Sequence, residues 1–231
     1  MLRLVLPCTG PAHLRKLSAA PRSTMCSTTP QRGIAMTNIL RIDSSIKGEA
    51  AVSRRLTSRI VERLLAAHPS AAVVSRDLAQ GIRQIDGAWL GSVFTAPEER
   101  TAEQAETARE ADAILAEVKA ADILVIALPV YNFAPPAQLK SWVDHIARRG
   151  ESFVYTETGP VGLLTGKRAI VAFTSDGTPL GSELDHASGW LRQILGFFGI
   201  TDVEFVAADR MVFGAEESLA RAEAAVEALA A

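Results

Sequence analysis

Asp122-Ile-Leu-Val-Ile-Ala-Leu128, with the turn Pro129-Val130-Tyr131-Asn132-Phe133 that follows it, decides the fold of this chain. The apolar run is short, rich in β-branched residues and bounded by an acid and a proline, so it reads as a strand. It shows no polar alternation, so both of its faces must be covered. That is the pattern of a parallel sheet enclosed between layers of helix.

Outward from this strand, helix and strand alternate. Towards the amino end, residues 38–43 read as a strand and residues 52–67 as a helix, with Val52, Leu56, Ile60, Leu64 and Leu65 on one face. A weaker strand at 71–76 and a long charged helix at 101–120 lead into the central strand. Beyond it, Pro135-Pro136 suit the first turn of a helix running to about Arg149. A fourth strand at 168–174, a helix at 184–198, a fifth strand at 203–208 and an Ala-rich helix at 215–230 complete the pattern. Five strands alternating with helices make one α/β domain with a parallel sheet. In such sheets the ligand sits outside the carboxyl ends of the strands, where strand order reverses. For the order 2-1-3-4-5 the loops that matter are 43–53, 129–136 and 174–184.

Charge is divided unevenly along the chain. Residues 1–35 hold five cations, no acid and both cysteines, Cys8 and Cys26; the remaining residues carry 19 basic against 26 acidic side chains. An acidic body argues against nucleic-acid binding, which draws on phosphate neutralisation. With no cysteine in the body, neither a disulfide nor a cysteine metal site is expected there, and redox chemistry would need a bound cofactor. No apolar run approaches the roughly 20 residues needed to cross a bilayer, so a soluble cytoplasmic protein is expected. Residues 1–35 read as a disordered leader, whether a misassigned start ahead of Met36, a targeting segment or a real disordered extension, and residues 36–231 as the folded domain.

The first loop holds neither a dinucleotide glycine fingerprint nor a P-loop. It does hold Ser45 and Ser53 beside a helix N-terminus, where hydroxyls and free amides suit a phosphate; Ser53 could equally serve as a helix cap. In the second loop Tyr131, Asn132 and Phe133 set aromatic walls and an amide at the sheet edge, as a flavin ring requires. In the third, Ser175-Asp176-Gly177-Thr178, Gly177 could take a positive φ and turn backbone amides towards a ligand.

Taken with their flanks, these loops resemble the FMN-dependent NADH:quinone oxidoreductases, also called FMN-dependent NADH-azoreductases. The resemblance runs from Asn38 to the C-terminus. It rests on Pro129–Phe133 with Gln138-Leu139-Lys140 and Asp144, on Phe153-Val-Tyr155-Thr-Glu-Thr-Gly159-Pro160, on Gly162-Leu-Leu-Thr-Gly166-Lys167, and on Leu195-Gly196-Phe-Phe-Gly199-Ile-Thr-Asp202. It implies a flavodoxin-like three-layer sandwich with a five-stranded parallel sheet of order 2-1-3-4-5. It implies one FMN per subunit, NADH or NADPH as co-substrate, quinones and aromatic azo compounds as oxidants, and a homodimer with its active sites at the interface. Carried over by motif, Ser45, Ala51, Val52 and Ser53 hold the FMN phosphate, while Val130, Tyr131, Asn132 and Phe133 line the ring. Ser175, Asp176, Gly177 and Thr178 meet the ring's far edge. Phe153 and Tyr155 are expected to cover a site, and no metal is expected. Two departures stand out. Ala51 occupies a position where relatives often have serine, and the third loop lacks the usual Gly-Gly and is shorter. The histidine that some relatives carry there has its nearest counterpart in His186, expected on a helix surface.

Other classes fit less well. A serine hydrolase would need a nucleophile elbow, absent around Ser44, and adjacent Asp185 and His186 on a helix would point apart. A receiver domain would need an acid where Pro129-Val130 stand. A flavodoxin-like carrier would use a one-electron couple and no nicotinamide.

Overall fold

A computed structural model of the chain describes residues 36–230; the expected leader lies outside the described residues. Strand β1 (Asn38–Asp43) leads into helix α1 (Val52–Ala67), and β2 (Ala72–Asp77) into a short helix α2 (Gly87–Phe94) and a long α3 (Ala102–Ala120). The central β3 (Ile123–Pro129) precedes α4 (Ala137–Ile146), a two-stranded hairpin β4 (Phe153–Thr156) and β5 (Gly159–Gly162), then β6 (Arg168–Thr174). Helix α5 (Ser188–Phe198), β7 (Asp202–Ala208) and α6 (Met211–Ala228) close the domain.

The main sheet has the order β2-β1-β3-β6-β7 and every pairing in it is parallel. With the separate hairpin set aside this is the expected 2-1-3-4-5. All of β3 is buried, and its successive residues divide between two cores. Ile123 and Val125 pack with Leu56, Ile60 and Leu64 of α1 and Ala222 and Val226 of α6. Leu124, Ile126 and Leu128 pack with Ile114 of α3, Trp142 of α4 and Leu191 and Leu195 of α5. The two-residue period of a strand therefore supplies both helix layers from one unbroken apolar run.

Four expected boundaries shift, each for a local reason. Pro135 and Pro136 precede α4 instead of forming its first turn, and the helix stops at Ile146 instead of Arg149. It stops because the buried Ser152 hydroxyl donates to Ile146 O (2.6 Å) and accepts the Arg148 amide (3.0 Å), turning the chain towards the hairpin. Helix α5 begins at Ser188, not at residue 184, since Asp185 accepts the amides of Gly181 (2.9 Å), Ala187 (3.0 Å) and Ser188 (2.9 Å) and holds a turn there. His186 is consequently an exposed loop residue and not part of a helix surface, and the pair Asp185-His186 precedes the helix. Helix α6 starts at Met211 and breaks its regular dihedrals at Gly214, instead of starting at residue 215. Helix α2 and the hairpin appear beyond the expected elements.

Candidate active site

The carboxyl ends of β1, β3 and β6 each deliver a loop to one cleft of about 240 Å³. At the first loop, Ser44 is fixed by donating to Ala127 O (2.8 Å), while the buried Asp43 accepts from the Thr57 hydroxyl (2.7 Å). Arg54 bridges outward to Asp77 (2.5 Å). Burial opposes ionisation of Asp77, yet the Arg54 guanidinium and the Ala79 amide hold its carboxyl below the usual range. These anchors fix the first turn of α1 at the mouth of the cleft.

That turn has no side-chain cap: Ala51 is the N-cap, and the first intrahelical bond there runs from the Arg55 amide to Ala51 O (3.2 Å). The earlier amides have no partner within the helix. The expectation that Ser53 could serve as a helix cap is corrected here. Its hydroxyl is buried and bonds to nothing among the described residues, and it is the second residue of the helix, two positions past the N-cap Ala51. Lys47, a cation not expected from the sequence, also lines the cleft and forms no ion pair among the described residues. An uncapped helix start, a buried hydroxyl without a partner and a lysine together fit a phosphate dianion.

The opposite wall comes from the second loop. Tyr131 and Ala134 exchange backbone hydrogen bonds (2.9 and 3.1 Å) around Asn132 and Phe133, whose φ angles are +52° and +69°. Two left-handed residues in succession define a type I′-like turn. Asn tolerates that conformation, whereas Phe is strained in it. The amides of Asn132 and Phe133 take no backbone partner, so both remain available as donors. The Tyr131 hydroxyl meets Ser45 Oγ at 2.8 Å, joining the first two loops, and the His186 amide donates to Phe133 O (3.2 Å), joining the third.

In the third loop Ser175 donates its hydroxyl to Thr178 O, and its own carbonyl accepts the Met211 amide (3.2 Å). Gly177 does not take a positive φ, contrary to expectation; that role falls to Gly181 (φ +74°), beside the turn Asp185 organises. Burial would raise the Asp185 carboxyl, but the Ser188 hydroxyl and amide hold it below its ordinary value.

Ser45, Ala51, Val52, Ser53, Val130, Tyr131, Ser175 and Asp176 thus share one cleft. Asn132 and Phe133 stand at the exposed tip of the turn beside it; Gly177 is exposed and Thr178 buried just beyond. Phe153 and Tyr155 lie apart on the hairpin, with Phe153 against Phe197 (4.6 Å between ring centres) and Tyr155 exposed. Met211, the first residue of α6, also lines the cleft. Every carboxyl-edge loop is a candidate wall in this topology, which was the available signal for it.

Residues 37–231 match the family model described as flavodoxin-like fold. An FMN-dependent NADH:quinone oxidoreductase of Cereibacter sphaeroides (strain KD131) is 87% identical over 196 residues, covering 85% of this chain and all of the relative. The chain belongs to this family. FMN-dependent NADH:quinone oxidoreductase 1 of Jannaschia sp. (strain CCS1) is 54% identical over 196 residues, again 85% of this chain and all of the relative. Among solved structures, the FMN-dependent NADH-azoreductase of Bacillus anthracis str. Ames Ancestor in complex with FMN superposes with a TM-score of 0.76 at 28% identity, over 84% of this chain and 97% of that one.

Proposed function

We propose that this chain binds FMN in the cleft between α1 and the 131–134 turn, and uses NADH to reduce quinones by two electrons and to cleave aromatic azo bonds. The observation that carries this reading is the pairing of an uncapped helix start, with its buried unpartnered Ser53, against a strained aromatic turn. One wall suits a phosphate and the other a flat ring. The relatives' names, and the FMN complex of the azoreductase neighbour, support the cofactor and the reaction.

In this reading Ser53, Lys47, Ser45 and the amides of residues 52–54 hold the phosphate. Only backbone is available at Ala51. Tyr131 and Val130 flank the ring, with the free amides of Asn132 and Phe133 as hydrogen-bond donors. Ser175, Asp176, Gly177 and Thr178 close the far edge. Bound FMN supplies a two-electron carrier between nicotinamide and oxidant. The protein contributes position and fixed donors, with no nucleophile or general base required. NADPH is a second candidate donor.

The functional unit is proposed to be a cytoplasmic homodimer in which the hairpin bearing Phe153 and Tyr155 reaches the partner's site. No helix among the described residues is long and apolar enough to cross a membrane. The folded unit is proposed to be residues 36–231. Purified protein should be yellow; anaerobic NADH should bleach it and a quinone should restore the colour. Protein that cannot be loaded with FMN removes the proposal, and loaded protein inert to NADH reduces it to a one-electron carrier.

A further inference from the structure

Arg210 breaks a local rule that its position makes expensive to break. It links β7 to α6 in the left-handed conformation (φ +57°, ψ 31°), where glycine would sit without strain. Strain of this kind persists where the surrounding structure enforces it, and it gathers at ligand sites. Here the enforcement is visible. The Arg210 amide points at Ser175 Oγ (3.5 Å), and the next two amides, of Met211 and Val212, donate to the carbonyls of Ser175 (3.2 Å) and Asp176 (2.9 Å). The turn is thereby laced to the third loop of the candidate flavin cleft, which Met211 also lines.

The Arg210 side chain carries a charge that nothing nearby neutralises. Among the described residues its guanidinium forms no ion pair, although acids surround it. Asp209 is committed to Arg221 (3.1 Å) and to the Leu180 amide (2.8 Å), and Glu217 also faces Arg221 (3.4 Å). Asp176, on the cleft rim, makes no ion pair with it. Instead the guanidinium lies 5.6 Å above the ring of Phe213, which is 73% exposed, at the lip of a recess of about 130 Å³. An available cation over a flat exposed ring, beside the cleft, suits an anion attached to an aromatic group.

We infer that Arg210 anchors a phosphate of the dinucleotide donor, with its side chain outside the flavin cleft. The inference rests on the proposed NADH-dependent reading. It assigns a specificity-determining residue to the reductive half of the reaction, and the strained turn serves to present that residue. The anion is either the pyrophosphate common to NADH and NADPH or the 2′-phosphate that NADPH alone carries.

The test is rapid reduction of the FMN-loaded enzyme by NADH, NADPH and reduced nicotinamide riboside, which has no phosphate, in the wild type, Arg210→Gly and Arg210→Lys. A titration with ADP-ribose reads phosphate binding without any chemistry. Arg210→Gly should weaken binding of the phosphate-bearing donors by about ten-fold, as for one lost charge-assisted contact, for NADH, NADPH and ADP-ribose if the pyrophosphate is held and for NADPH alone if the 2′-phosphate is, and leave the riboside unchanged. Arg210→Lys should recover most of the loss. The glycine variant without FMN should also melt higher, because its strain is relieved. A loss confined to NADPH assigns the 2′-phosphate; equal losses for both donors assign the pyrophosphate. Unchanged binding of NADH, NADPH and ADP-ribose alike, or an equal loss for NADH and the riboside, overturns the inference. If the loaded wild type ignores NADH, the proposed function fails by itself, and titration with ADP-ribose and its 2′-phosphate still decides whether Arg210 binds a phosphate.

Discussion

The Ser53 hydroxyl is buried without a partner, and a buried polar group in that state costs about 1–3 kcal/mol. Such a cost makes sense where a ligand supplies the missing partner. Ser53→Ala should therefore move two measurements in opposite directions. Thermal stability of the FMN-free protein should hold or rise, while FMN affinity should fall by roughly ten-fold or more, the worth of a hydrogen bond to a charged oxygen. Fluorescence titration of FMN checks the second, and unchanged affinity would remove Ser53 from the phosphate site. At this scale the sequence was readable where chemistry is local. Serines beside a helix start and aromatics after a buried strand stood out as such. Lys47 and Met211 did not, since a single lysine in a loop or a methionine at a helix start looks ordinary until the fold brings it to the cleft. The strain at Phe133 was equally hidden, because tertiary contacts of the turn, including the His186 amide on Phe133 O, impose it.

Among the elements, the hairpin is held against α5 by an approach that only glycine permits. A Cβ on Gly162 would fall 2.1 Å from Gly199 N and 2.2 Å from Phe198 C, both backbone atoms that cannot swing aside. Gly199 ends α5 in the left-handed conformation (φ +97°), and the Leu164 amide donates to Phe198 O (2.8 Å) across the same contact. The Gly162-Leu-Leu and Phe-Phe-Gly199 motifs are thus two sides of one backbone contact. Gly162→Ala should destabilise the domain by about 1–3 kcal/mol, the usual range for overpacking, and should loosen the hairpin first. Chemical denaturation gives the first figure, and faster amide exchange at residues 153–164 tests the second. A variant as stable as wild type, with the hairpin equally protected, would refute this account. The sequence disclosed elements in proportion to their periodicity. Strand β3 was unmistakable because burial on both faces leaves no polar interruption, and α1 because its apolar face repeats. The start of α5 was misplaced since Asp185 organises a polar turn through bonds to nearby amides, which hydrophobic periodicity does not register. Helix α2 is only eight residues long, too short to show a period.

On the whole molecule, one apolar face lacks a covering layer. Trp190, Ile194 and Phe197 line a groove of about 220 Å³ on the outer side of α5, and Phe197 touches Phe153 of the hairpin. Tyr155, whose ring meets that of Phe153 (5.5 Å between centres), is exposed at 62%. An exposed apolar surface of this kind is unusual on a soluble monomer and common where subunits meet. Composition could not reveal it, because the face joins helix and hairpin residues far apart in the sequence. If it is the proposed dimer interface, two-fold symmetry places each substituted side chain there twice, so one change is felt at two places. Ile194→Glu should then bury two unpaired carboxylates on association, each at a cost of several kcal/mol, and the dimer should dissociate at micromolar concentration. Since Ile194 is partly packed on its own subunit, Tyr155→Glu provides a second variant on a side chain free of the core. Sedimentation velocity should show monomers for both, with unchanged far-UV circular dichroism. Quinone reduction should fall by an order of magnitude or more while FMN stays bound, because the phosphate wall and the 131–134 turn belong to a single chain and the covering hairpin does not. Both variants sedimenting as dimers would exclude this face as the interface. Monomers with full activity would show instead that one chain suffices for the reaction.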